Sequence, residues 1–186
     1  KPKNWFRVDL NDSLGVHMRI GSIVLLKDQL CVQSYGWKTM RPLGMLQGVL
    51  NSLEEYQCDE VSIIRPVRKN DSLKSFHQDI QMIKALKTMT PISFGGGIRS
   101  AEHLKLLRDL PIERIVISSA FLEKNIELIT LAKDLFGPQA IKCLLPVCHQ
   151  NGEVSVYHSS AGRYIPLSTI DTQFVDEFAN EIILFD

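Results

Sequence analysis

No stretch of this 186-residue chain is apolar for anything near the ~20 residues that a membrane-spanning helix needs. Residues 1–19 contain no continuous apolar run, so the N-terminus shows no signal-peptide pattern. Charge of one sign is not in excess: Lys plus Arg and Asp plus Glu number 21 each, which gives a formal net charge of zero. Nothing in that balance calls for a nucleic acid or an anionic membrane as partner. Cysteine is sparse and scattered (Cys31, Cys58, Cys143, Cys148), with no C-x-x-C pair. A disulfide frame and a zinc site are therefore not expected. The pattern reads as the reduced thiols of a cytoplasmic protein that needs no metal or cofactor. What is present is 45% hydrophobic residues, enough for one domain with a sizeable core.

The chain is organised around residues 90–103, Thr-Pro-Ile-Ser-Phe-Gly-Gly-Gly-Ile-Arg-Ser-Ala-Glu-His. An apolar run ends in three glycines, Ser100 stands at an N-cap position, and helical spacing follows from Ala101 to Leu110. The local reading is strand, glycine turn, helix. Glycine lets a ligand approach the backbone, and free N–H groups at a helix start favour an anion. The alternative is a turn that only joins a strand to a helix.

In chain order, 19–27 reads as a strand and 30–35 as its hairpin partner. Residues 36–44 read as a loop with Trp37, Lys38 and Arg41, and 45–56 as a helix. Val61–Ile64 is a strand ending at Arg65-Pro66. An amphipathic helix starts at Asn70-Asp71-Ser72, with Leu73, Phe76, Ile80, Ile83 and Leu86 along one stripe. A strand over 115–117 runs into Ser118-Ser119-Ala120, and a helix over 124–136 stops at Gly137-Pro138. Residues 140–147 form a strand, 154–157 half of a small hairpin, 166–179 a mainly helical stretch, and 181–185 a sixth strand. The strands are continuous apolar runs alternating with helices, the pattern of a parallel sheet buried on both faces. A doubly wound sheet and a (β/α)8 barrel both satisfy it. Six strands on count alone favour the open sheet.

From Arg19 to Asp186 the chain resembles the cyclase subunit of imidazole glycerol phosphate synthase, a (β/α)8 barrel of histidine biosynthesis. The resemblance rests on Arg19-Ile20 with Lys27-Asp28, Asp59-Glu60-Val61, Phe94-Gly95-Gly96-Gly97-Ile98, Ser118-Ser119-Ala120, Phe136-Gly137-x-Gln139-Ala140, Asn151-Gly152-Glu153 and Glu181-Ile182-x-Leu184. It implies a TIM-barrel domain over 19–186 that covers about six βα units, with the last two absent, and an unassigned extension over 1–18. An open arc is expected to expose sheet edges.

The resemblance also implies roles. Family members take ammonia from a glutaminase partner and close an imidazole ring, a lyase reaction driven by two aspartates. Those aspartates align with Leu25 and Pro146, neither of which moves a proton. A family lysine aligns with Gln33, and an acidic position with Arg65. The family's phosphate loops align with Gly96, Gly97, Ser118 and Ser119. Its ammonia gate aligns with Arg19, Glu60, Arg114 and Glu181, with all four charge signs kept; the alternative is four solvated strand starts. His77 and His103 read as solvated, Cys148-His149 as unpartnered, and Arg65 and Arg68 as loop charges or an anion site. Val24-Leu25-Leu26-Lys27 resembles a surface-polysaccharide branch of the family. The leading expectation is a barrel subunit that docks a glutaminase in a heterodimer, keeps the gate and phosphate loops, and has lost ring closure. An active cyclase and a non-catalytic phosphate-binding barrel are the alternatives.

Overall fold

A computed structural model describes residues 19–35, 39–150 and 152–186. The 1–18 extension, Trp37, Lys38 and Asn151 lie outside them. The elements in order are β1 (Gly21–Lys27), β2 (Leu30–Tyr35), β3 (Thr39–Gly44), α1 (Leu46–Glu55), β4 (Glu60–Ile64), α2 (Leu73–Lys84), β5 (Ile92–Gly95), α3 (Ala101–Leu107) and β6 (Arg114–Ile117). They continue with α4 (Ser119–Leu122), α5 (Ile126–Phe136), β7 (Ile141–Gln150), β8 (Glu153–His158), β9 (Arg163–Pro166), α6 (Thr172–Phe178) and β10 (Glu181–Phe185).

Six strands run parallel in the order β1-β4-β5-β6-β7-β10. Their side chains alternate between two buried faces, as period-two geometry requires. Outward residues such as Leu26, Ile63, Phe94 and Ile117 join a core built with the helices. Inward residues Leu25, Ile64, Val116, Leu144 and Phe185 form a second cluster to which only strands contribute. A sheet with helices on one face and its own side chains on the other is the wall of a (β/α) barrel. Both faces being buried is why the strands read as unbroken apolar runs.

Among the described residues the wall is not closed by hydrogen bonds: β10 pairs only with β7, and the first half of β1 only with β4. The expected exposure of the arc falls on the outer face of β10, where Ile182 is 51% and Leu184 44% exposed. Among the described residues, no helix is long and apolar enough to cross a membrane.

The structure corrects the sequence reading in four places. Residues 39–44, read as loop, form β3, which pairs antiparallel with β2 at the sheet's end. An edge strand hydrogen-bonds on one side only, so Pro42 does not prevent it. Residues 163–166 form β9, and the 166–179 stretch divides into a 3-10 turn (Leu167–Thr169) and α6, whose N-cap is Asp171. Ser119 opens a four-residue helix between β6 and α5 that the sequence reading did not place. Beyond Pro146, β7 continues past its parallel neighbours into an antiparallel ladder with β8 and β9.

Capping separates two serines that look alike in sequence. Ser72 Oγ accepts the Ser75 N–H at 3.1 Å, whereas Ser100 Oγ lies 2.7 Å from His103 Nδ1 and caps no backbone group. Ser72→Ala is expected to cost about 1 kcal/mol, and Ser100→Ala distinctly less. Urea midpoints of the two variants check the difference.

Candidate functional site

Side chains of interest gather at both ends of the barrel wall. At the mouth, beyond the strand C-termini, β5 delivers the glycine turn. Gly96 and Gly97 hold φ of +96° and +85°, the region glycine adopts without strain. A Cβ on Gly96 would sit 2.2 Å from the Arg65 carbonyl oxygen, so the end of β4 packs directly on this turn.

Arg65 is neither a solvated loop charge nor an open anion ligand, which corrects the sequence reading. It is buried, and its guanidinium stacks over Phe76 at 5.0 Å. Nε donates to Asp79 at 2.6 Å, Nη1 to Asp71 at 2.8 Å and to the Gly96 carbonyl at 3.1 Å, and Nη2 to Asp71 at 3.1 Å. Burial alone would lower its pKa, but the two carboxylates outweigh that and raise it. The guanidinium fork thus braces the glycine turn from below. His103, expected to be solvated, instead packs edge-on against Phe76, with ring centroids 4.7 Å apart. Burial holds its pKa below the usual histidine value.

Gly96, Gly97, Ser118 and Ser119 line one cavity at this mouth, beneath Tyr157 and Tyr164 of the β8–β9 hairpin. The four residues aligned with the family's phosphate loops are therefore brought together. Ser119 Oγ hydrogen-bonds Ser159 Oγ at 2.8 Å. Ser118 Oγ is shut off from solvent and has no partner among the described residues, an unfilled hydrogen bond at the cavity wall. Pro146 also lines the cavity, and Leu25 lies in the inner apolar cluster. Among the described residues the lining has no carboxylate, imidazole, amine or thiol, so these residues can hold an anion but offer no group that trades protons near neutral pH. Cys148 hydrogen-bonds Tyr164, and burial, with the Asp186 charge, raises its pKa. Among the described residues, no group of three or more His, Cys, Asp and Glu is placed to hold a metal ion.

At the opposite end the four strand-start charges meet. Arg114 Nη1 bridges Glu60 Oε2 at 3.1 Å and Glu181 Oε1 at 2.7 Å. Arg19, two residues before β1, reaches Glu181 Oε1 at 2.6 Å and lies 3.8 Å from Glu60 Oε2. The Arg19–Glu181 pair joins the two ends of the open arc where the backbone does not.

The sequence reading missed a fifth member, Lys142, buried on β7 with Nζ 2.5 Å from Glu60 Oε1 and 2.8 Å from Glu181 Oε2. Ser93 Oγ also donates to Glu60 Oε1. Lys142 stands opposite Glu181 in the ladder, which sets it at ring height. The available signal was one charge inside the apolar run Ile141–Val147, since an isolated lysine in a strand buried on both faces needs a carboxylate.

Burial pushes the Glu181 carboxyl up, but hydrogen bonds from Lys142 and Arg19 with the Arg114 charge bring it below 4.5. Because the folded state then binds this proton less tightly than the unfolded chain, the stabilisation is present above pH 4.5 and fades as pH falls below it. Glu181→Gln is expected to flatten that acid limb. Urea unfolding at pH 6 and about pH 3.5 should show a smaller drop in midpoint for the variant than for the wild type.

Comparison with known proteins agrees with this architecture. The family described as "Histidine biosynthesis protein" matches residues 19–186. A Vibrio vulnificus (strain YJ016) protein named as imidazole glycerol phosphate synthase subunit hisF2 is 23% identical over 169 residues, 90% of this chain and 61% of its own length. A Campylobacter jejuni protein of the same name is 30% identical over 170 residues, 89% of this chain and 66% of its own. An imidazole-4-carboxamide isomerase of Buchnera aphidicola (strain Tuc7) is 31% identical over 101 residues, 53% of this chain and 41% of its own. The chain thus spans about two-thirds or less of the length of these relatives. With the family matched along nearly all of a (β/α) wall, the chain belongs to the histidine biosynthesis protein family of (β/α)8 barrels.

Proposed function

We propose that this chain is the barrel subunit of a glutamine amidotransferase system. It docks a glutaminase at its base, receives ammonia through the charged ring, and holds a phosphorylated ligand at its mouth without closing an imidazole ring. The observation that carries this reading is the pairing of two ends. The base carries an interlocked set of charges, Arg19, Glu60, Arg114 and Glu181, while the described residues of the mouth include anion-holding groups and no proton-transfer group. Between them the inner cluster of Leu25, Ile64, Val116 and Leu144 supplies apolar walls, suited to a small neutral molecule. Leu25 and Pro146 stand where acid/base aspartates would act, so the ammonia goes to a separate acceptor. The Val24-Leu25-Leu26-Lys27 strand points to an acceptor in surface-polysaccharide assembly.

The test mixes the chain with its cognate glutaminase. Glutamine hydrolysis should rise at least tenfold, and Glu60→Ala should remove most of that rise; a change of this size corresponds to about 1.4 kcal/mol of coupling. No rise, and no effect of Glu60→Ala, would leave a phosphate-binding barrel with no ammonia role. A second arm supplies the bisphosphorylated histidine-pathway intermediate and ammonium salt. No imidazole product is expected, and clear turnover would establish a working cyclase instead.

A further inference from the structure

Lys142 differs from the other cations of the basal ring in being inside it. Arg19 reaches in from solvent with a side chain 53% exposed and Arg114 lies at the lip, whereas the Lys142 side chain is 5% exposed. Its Nζ has Glu60 Oε1 on one side at 2.5 Å and Glu181 Oε2 on the other at 2.8 Å. Both carboxylates are held from behind, Glu60 by Ser93 and Arg114, and Glu181 by Arg19 and Arg114. The ammonium therefore sits in a preformed position, since its acceptors stay anchored whichever way the lysine stem turns. Farther along the inner face, the cluster that includes Ile23, Ile183, Val116 and Leu144 offers it no side-chain hydrogen-bond acceptor.

We propose that Glu60 and Glu181 form a binding site for an ammonium-sized primary cation, and that Lys142 is its tethered occupant, closing the base of the barrel. As a stopper on ammonia traffic this rests on the ammonia reading above; the cation site does not. Occupancy explains what the stopper does. Arg19, Arg114 and Lys142 face Glu60 and Glu181, with a third carboxylate, Asp59, beside Arg19, so both carboxylates of the site are already neutralised. A free ammonium ion reaching the base finds its site filled, while neutral ammonia needs no such site. Withdrawal of Nζ upward would exchange two carboxylates for at most the buried hydroxyls of Ser62 and Ser93, a strongly unfavourable step. The stopper opens only downward, toward the face where a docked partner supplies replacement acceptors.

Chemical rescue tests the site. Lys142→Ala in the full chain empties the position and leaves the buried Glu60 and the partly buried Glu181 without their central cation. Its melting temperature is expected to fall by about 10 °C. Methylammonium or ammonium chloride at about 0.2 M should restore at least half of that loss through binding to the vacated site. Sodium and tetramethylammonium chloride at the same concentration should do no more than they do for the wild type. An equal response to all four salts, or none to any, overturns the proposal.

If Lys142→Ala does not fold, the wild type decides. With 15N-labelled lysine, one side-chain ammonium signal should be protected from exchange and vanish in Lys142→Arg. Rapid exchange of every lysine ammonium would overturn the proposal. Neither measurement involves a glutaminase, so the cation site and the docking reading fail separately.

Discussion

Gly96→Ala is expected to cost about 4 kcal/mol, the combined effect of a disfavoured φ and an overpacked backbone contact. The added Cβ would meet the Arg65 carbonyl oxygen at 2.2 Å and the Arg65 nitrogen at 2.8 Å. Both are backbone atoms of a strand end, and Arg65 N–H also donates to the Gly95 carbonyl at 2.9 Å, so neither moves without breaking the ladder. Gly152→Ala is the control. Its φ of +83° carries the same conformational strain, but nothing lies within 4 Å of the added carbon. That variant is expected to lose only about 1 kcal/mol. Denaturant midpoints separate the two effects. Near-equal losses would show that φ strain alone makes glycine necessary at 96. Gly96→Ala should also weaken inorganic phosphate binding at the mouth by tenfold or more, measured by calorimetry, because the turn that presents Gly97 is displaced.

Arg65→Met is expected to be comparably severe, about 3–5 kcal/mol, because it leaves two carboxylates beside an apolar side chain. Asp79 is buried and Asp71 nearly so, and both direct oxygens at the guanidinium. Arg65→Lys keeps the charge but replaces a planar fork with a single ammonium. It should recover less than half of the loss, since one nitrogen cannot serve Asp71, Asp79 and the Gly96 carbonyl together. Full recovery by lysine would mean that charge, not geometry, is what Arg65 supplies. Phosphate affinity gives a second readout: both variants release the Gly96 carbonyl, so affinity should fall even where the lysine variant stays folded.

Much of the architecture is legible in local sequence. The strands announce themselves as unbroken apolar runs because both faces of each are buried. Helix α2 is marked by its stripe of Phe76, Ile80 and Ile83, all facing the core. β3 and β9 were not legible, since an edge strand containing Pro42 and a four-residue strand before a 3-10 turn lack an apolar pattern of their own. At the mouth, Gly96, Gly97, Ser118 and Ser119 could be placed in advance because glycine turns and strand-end hydroxyls are local features. Arg65 could not be read correctly. It is an arginine before a proline, indistinguishable from a surface charge until helix α2 brings Asp79 beneath it.

The sequence by itself determined the family, the alternation of strand and helix, the glycine turn, and the signs of four charges at strand starts. These depend on propensity, periodicity and neighbours a few residues apart. Only the tertiary structure decided that Arg19 and Glu181, 162 residues apart, join the ends of the open wall, that Lys142 fills the ring between two carboxylates, and that Arg65, read as a loop charge or an anion site, supports the glycine turn. Each outcome depends on strand register and sheet curvature. Those are set by the summed packing of both cores, and no local stretch of the chain carries them.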